Sequence, residues 1–167
     1  MYKEKFGANR LAQMLPYMEK TFAEVGLKYS LGGLTGSTMA SHRLSEWARE
    51  EYGLDKQDRL MTEMFDAYFC NEKFLGDHDV LVEAATKAGL PSDKAREILE
   101  VEGNYIHEVE TGVQQERQMR VSGVPFFVFH PAAKDKGQRP ITLSGAQPAD
   151  MFLDAIEECG IDRPGHV

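Results

Sequence analysis

One five-residue stretch constrains this chain more than any other. Residues 125–129 read PFFVF, the one continuously apolar run that is short enough to be a strand and is bounded by turn signals. Phe126 and Val128 alternate with Phe127 and Phe129, so both faces of the strand are apolar. Such a strand is covered on both sides, as in sheets that carry helices. A strand of this kind also implies at least one neighbour, and residues 141–144, ITLS, alternate as a half-exposed partner would. The intervening HPAAKDKGQRP (130–140) is polar and contains Pro and Gly, which predicts a hairpin loop.

Almost everything before residue 120 has the helical period instead. Leu11, Met14, Leu15, Met18, Phe22 and Val25 form a 3.6-residue stripe that predicts a helix over 8–25. Pro16 has no N–H to bond back to Ala12 and predicts a kink or break. Gly26 is a stop, and LKYSL (27–31) is expected to be extended. Thr38 is expected to cap a helix bearing Leu44, Trp47 and Ala48 that ends at Gly53. Asp55 is expected to cap the next, with Leu60, Met61, Met64, Phe65 and Tyr68 inward, and Asp77 or Asp79 a short one ending at Gly89. Ser92 is the expected cap of a further helix, with Asp93 placed for the helix dipole. A long helix over 104–119 presents Ile106, Val109 and Val113. Past the hairpin, Pro148 at the first helical position and Asp150 in the first turn open a final helix with Met151, Phe152, Ala155 and Ile156 inward, ending at Gly160. The order is many helices, then strand, strand, helix: an α/β chain with a large helical subdomain (1–120) followed by a β-hairpin and C-terminal helix (121–167) in a single domain, 1–167.

At 167 residues the chain can bury about two-thirds of its unfolded surface, so its core needs no metal or disulfide staple. A net charge of −8 argues against a general nucleic-acid or anionic-membrane binder, because both require a basic surface. The mixed cluster from Lys134 to Arg139 is too short to reverse that. No run of about 18 apolar residues exists to span a bilayer. The N-terminal MYKEKFGANR has no apolar core of a secretory signal, and Cys70 and Cys159 are two isolated thiols, so the expectation is a cytoplasmic protein.

The motifs that could carry chemistry read mostly as structure. GGLTGST (32–38) lacks the lysine and spacing of a phosphate loop and reads as a loop closed by a helix cap. Asp77-His78-Asp79 and the His107/Glu110 pair lack the second ligand cluster a metal site needs, and read as solvated helix faces. His42 has no evident nucleophile partner, and neither an elbow serine nor a zinc-protease helix is present. No catalytic residue, metal or cofactor is expected.

SGVPFFVF (122–129) is different. Gly123 supplies backbone freedom, Val124 is pushed toward extended geometry by the following proline, and an X-Pro bond tolerates the cis form. Two readings stay open from the residues: a rigid trans-proline entering a buried strand, or a cis-proline turn that leaves the backbone of Val124 available to an extended peptide.

GVPFFVF together with ITLSGAQPADMFLDAIEE resembles the C-terminal part of DsbA-family, thioredoxin-fold proteins. YKEKFG, GGLTGST with SHRL, and DHDVLVEAATKAGL are similar to the FrnE-like branch, related to 2-hydroxychromene-2-carboxylate isomerases and kappa-class glutathione transferases. The resemblance implies a thioredoxin fold whose Cys-x-x-Cys opens the helix after the first strand, where a low thiolate pKa drives disulfide exchange. It also implies that this chain starts at the helical insert. The first strand, redox helix and second strand would then be missing, leaving an incomplete DsbA-like fold with no catalytic cysteine. Gly123, Val124 and Pro125 would form the substrate-facing cis-proline loop, and the 130–140 loop is longer than the family's.

Three functions follow as expectations. The first is a redox-inactive member that binds an extended peptide, a small thiol or a partner at this loop. The second is a disulfide oxidoreductase whose redox motif lies on another segment, and the third a mainly helical interaction module. Because the strand opening at Pro125 and closing at Phe129 would lack its usual neighbour, its free edge is expected to be covered by a homodimer mate, a helix of the chain or a separate partner.

Overall fold

The computed structural model describes residues 7–119, 121, 123–131 and 139–161, and the side chains of Ala8 and Leu11 lie outside that description. It comprises two compact units, Met1–Gly112 and Val113–Val167.

The first unit is helical. α1 (Ala8–Glu24) runs unbroken through Pro16, where a kink or break was expected. Pro16 is exposed, so water can bond the carbonyl of Ala12 that the proline leaves without a donor. α2 (Met39–Tyr52) and α3 (Leu54–Phe65) meet at Gly53, whose φ of 87° suits a residue without Cβ. A π-helical turn (Asp66–Cys70) continues α3, a feature no sequence period announces. α4 (His78–Lys87) and α5 (Ser92–Glu100) follow, and α6 (Ile106–Gln118) crosses from the first unit into the second.

The core of this unit comes from Leu44, Trp47 and Ala48 on α2, Leu60 and Met64 on α3, Leu81, Ala84 and Ala85 on α4, and Ala95 and Leu99 on α5, joined by Ala88 and Leu90. Small alanines let the helices approach closely while leucines fill the gaps, each buried Leu contributing about 2 kcal/mol. Arg43 is 6% exposed within this packing. Its guanidinium donates to the carbonyls of Ile98, Val101 and Asn104, tying α2 to the end of α5 and the turn after it. Of the stripe expected on α6, Val109 is buried, Ile106 half-buried and Val113 exposed.

Capping differs from expectation at several ends. Asp77 does cap α4, its carboxylate accepting from the Asp79 N–H at 2.8 Å. Thr38 makes no side-chain cap of α2; the Ser37 hydroxyl accepts from Met39 N–H at 3.3 Å instead. Asp55 and Ser92 lie inside their helices, with Gly53 and Pro91 at the cap positions. Residues 27–31 form no strand among the described residues; Ser30 N–H donates to Phe69 O at 2.7 Å and pins the segment to the π-helical turn.

In the second unit β1 (Phe126–Phe129) and β2 (Ile141–Ser144) form an antiparallel pair, with Phe126 opposite Ser144 and Phe129 opposite Ile141. Ile141 and Leu143 are half-buried and Thr142 and Ser144 exposed, the alternation ITLS predicts. α7 (Ala149–Glu158) follows, with Pro148 at its cap rather than in its first turn. Phe152 of α7 packs edge-on against Phe127 at 4.7 Å and against Phe129 at 6.2 Å. All four residues of β1 are half-buried rather than buried on both faces. Most of the 130–140 loop, residues 132–138, lies outside the described residues.

Candidate functional site: the loop before β1

The rigid part of this site is the β1–β2–α7 wedge. Gly145, at φ 82°, turns the chain out of β2, and its N–H donates to the Pro125 carbonyl at 2.8 Å. That bond extends the ladder one step beyond the Phe126–Ser144 pair, so Pro125 is held where the strand begins. The Gln147 side-chain amide donates to Ser144 O at 2.8 Å and secures the same turn.

The peptide joining Val124 to Pro125 is cis. Val124 is 86% exposed, the most exposed large apolar side chain among the described residues. A Cβ added at Gly123 would meet nothing within 4 Å. No backbone partner reaches Val124 among the described residues, and there β1 pairs with β2 alone. The result is an open apolar step, fixed from below, at the end of a strand with one unpaired edge. Such an edge can add an extended segment through main-chain hydrogen bonds. Ser122 lies outside the described residues.

Neither thiol belongs to this loop in sequence. Cys159, 2% exposed, closes the buried side of α7. Cys70 ends the π-helical turn in the other unit, and both are free thiols. Burial pushes the Cys70 thiol above its ordinary pKa, and the Asp66 carboxylate adds to this by its charge and by accepting the S–H. That is the reverse of the thiolate-stabilising surroundings a reactive cysteine has.

The glycine-rich loop has a structural occupant. The Glu72 carboxylate accepts from Gly32 N–H at 3.1 Å and from the Ser30 hydroxyl. A Cβ on Gly33 would lie 2.5 Å from the Glu72 carbonyl oxygen, and one on Gly36 would lie 3.0 Å from the Phe74 ring. The glycines are therefore there to admit the Glu72 to Phe74 turn. This contact is one the sequence could not announce, since Glu72 lies forty residues away. Among the described residues no group of three or more His, Cys, Asp or Glu is arranged to hold a metal. Asp77 is used as a helix cap, and Asp79 is bound to Arg96 at 2.6 Å. Nor is any described helix long and apolar enough to cross a membrane.

No curated protein matches the chain. The family pattern of the DSBA-like thioredoxin domain does, over residues 3–157. A helical unit followed by an antiparallel β-hairpin and a helix is the corresponding part of an α/β, thioredoxin-like architecture. The match spans nearly the whole chain, and the protein therefore belongs to the DSBA-like thioredoxin domain family.

Proposed function

We propose that this protein is a redox-inactive member of the family, of the FrnE-like branch, that binds extended peptide at Gly123, Val124 and Pro125. The observation that carries the reading is Val124: an apolar side chain left 86% exposed at the mouth of a strand whose second edge has no partner among the described residues. A four-residue edge offers only a few main-chain bonds of about 1 kcal/mol each, against the cost of ordering the peptide, so the expected Kd is about 1 mM or weaker. Inactivity in thiol exchange is supported by the two cysteines: neither adjoins this loop in sequence, one is buried, and the other has its pKa raised. The free thiols also favour a reducing, cytoplasmic setting.

The test is fluorescence anisotropy with a cysteine-free, unfolded, valine-rich peptide. Val124→Asp should weaken binding about tenfold while moving stability by less than about 0.5 kcal/mol, because the residue is 86% exposed. Unchanged affinity in Val124→Asp would remove the loop from the reading. In parallel, insulin disulfides should not be reduced, and turnover abolished by Cys70→Ser would restore an oxidoreductase. Self-pairing of the β1 edge in a second copy is the competing occupant. It would appear as a concentration-dependent doubling of mass that the peptide reverses.

A further inference from the structure

An open pocket of about 520 Å³ lies within the helical unit, beside the end of α1 and the π-helical turn. Its volume falls in the range of small-molecule sites. The walls are Phe22, Leu27, Phe65 and Phe69. Leu27 stays 47% exposed and Phe65 50% exposed, although both belong to apolar sequence that could have been packed away. The rings are braced from behind: Phe22 stands 4.8 Å from Tyr29, and Phe69 is 4.9 Å from Tyr68 and 5.9 Å from Phe65. Ring-to-ring packing of this kind restrains the side chains that line the pocket.

The backbone that builds this wall is irregular. Asn71 N–H reaches back to Asp66 O at 3.2 Å, the wide π-type bond, and the Asn71 side chain donates to the Asp66 carboxylate at 2.8 Å. Single π-turns of this kind recur at binding sites because they re-aim side chains that an α-helix would place elsewhere.

The charge lining the pocket is of one sign among the described residues. Among the described residues, Glu63 and Asp66 are the acidic residues lining the pocket, and no basic residue lines it. Asp66 is already engaged by Asn71 and Cys70. The Glu63 side chain makes no hydrogen bond or close ion pair among the described residues. Lys87 feels its charge at longer range but is itself bound to Glu83 at 3.0 Å. Carboxylates beside aromatic faces form a setting that attracts cations, through charge and through the ring quadrupole, and repels anions.

We propose that this pocket binds a small hydrophobic cation, an aliphatic or aromatic amine, with its apolar body against Phe22, Phe65 and Phe69 and its ammonium toward Glu63. This site stands apart from the peptide reading and does not depend on it.

Cys70 lines the pocket and serves as the reporter, while buried Cys159 is the internal control. The full chain is alkylated with N-ethylmaleimide at about pH 8.5, with decylammonium or decanoate present, and labelling of each cysteine is read by mass spectrometry. Decylammonium at about 1 mM should slow Cys70 labelling about fivefold and decanoate less than about twofold. Glu63→Gln should bring the two amphiphiles close together, and Phe65→Ser should remove protection by both. Phe65 is half-exposed, so the fold of that variant is checked by circular dichroism and by its urea-unfolding midpoint. Val124→Asp should leave the protection intact, which separates this result from the peptide site. Equal protection by decanoate, or none by decylammonium in the folded protein, would overturn the proposal.

Discussion

Glu72 sits in the Gly32 to Gly36 loop much as a bound anion would, and that single side chain decides how the glycines respond to substitution. Gly33→Ala would drive a methyl to 2.5 Å from the Glu72 carbonyl, where only backbone can yield, and should cost about 1–3 kcal/mol in urea unfolding. Gly123→Ala, with open space around it, should stay within about 0.5 kcal/mol. Arg43 is the second residue with a large expected effect. Arg43→Met strands the carbonyls of Ile98, Val101 and Asn104 and should cost about 3 kcal/mol, and Arg43→Lys should not restore it, because a point donor cannot serve three acceptors. A third residue-scale effect is the alkaline limit. Burial raises Tyr29 above 10.0, helped by Tyr68, and raises Cys70 above 9.0, helped by Asp66. Both groups bind their proton more tightly folded than unfolded. Their contribution is therefore complete below about pH 9 and is lost as pH rises through the folded-state values. The melting temperature should fall as pH rises above about 9, and Cys70→Ser should soften the fall.

At the scale of elements, the helices and both strands were legible because their apolar period is local. α3 shows it in Leu60 and Met64, and β2 in the alternation of Ile141 and Leu143 with Thr142 and Ser144. The caps were less legible: Asp55 and Ser92 have cap chemistry but lie inside their helices behind Gly53 and Pro91, and Thr38 holds the cap position without a side-chain bond. The π-helical turn was not legible at all, since it shifts the bonding by one residue without changing which residues are apolar. Pro16 predicts a kink or break, and α1 continues through it without a break, the proline exposed. Pro16→Ala restores one helical hydrogen bond and removes a ring clash, so it should stabilise α1 by about 1–3 kcal/mol, seen as slower amide exchange across 10–20 and a higher melting temperature.

For the whole molecule, a chain that matches the DSBA-like thioredoxin domain over 3–157 contains no Cys-x-x-Cys pair in its 167 residues. The loop before β1 was legible from Gly-Val-Pro and its apolar strand, because proline chemistry is written in the residue type. The apolar pocket was not, because Phe22 and Phe69 meet only through the tertiary fold. Peptide binding at the β1 mouth without thiol exchange is the proposal on which the rest depends. It is tested by an amide titration by heteronuclear NMR, adding a reduced, unfolded peptide that carries one cysteine under mildly oxidising conditions. Saturable shifts are expected at Gly123, Val124 and along β1, lost in Val124→Asp, with no mixed disulfide in the mass spectrum. Shifts confined to other surfaces, or a covalent adduct at Cys70 that forms with the kinetics of binding, would contradict it.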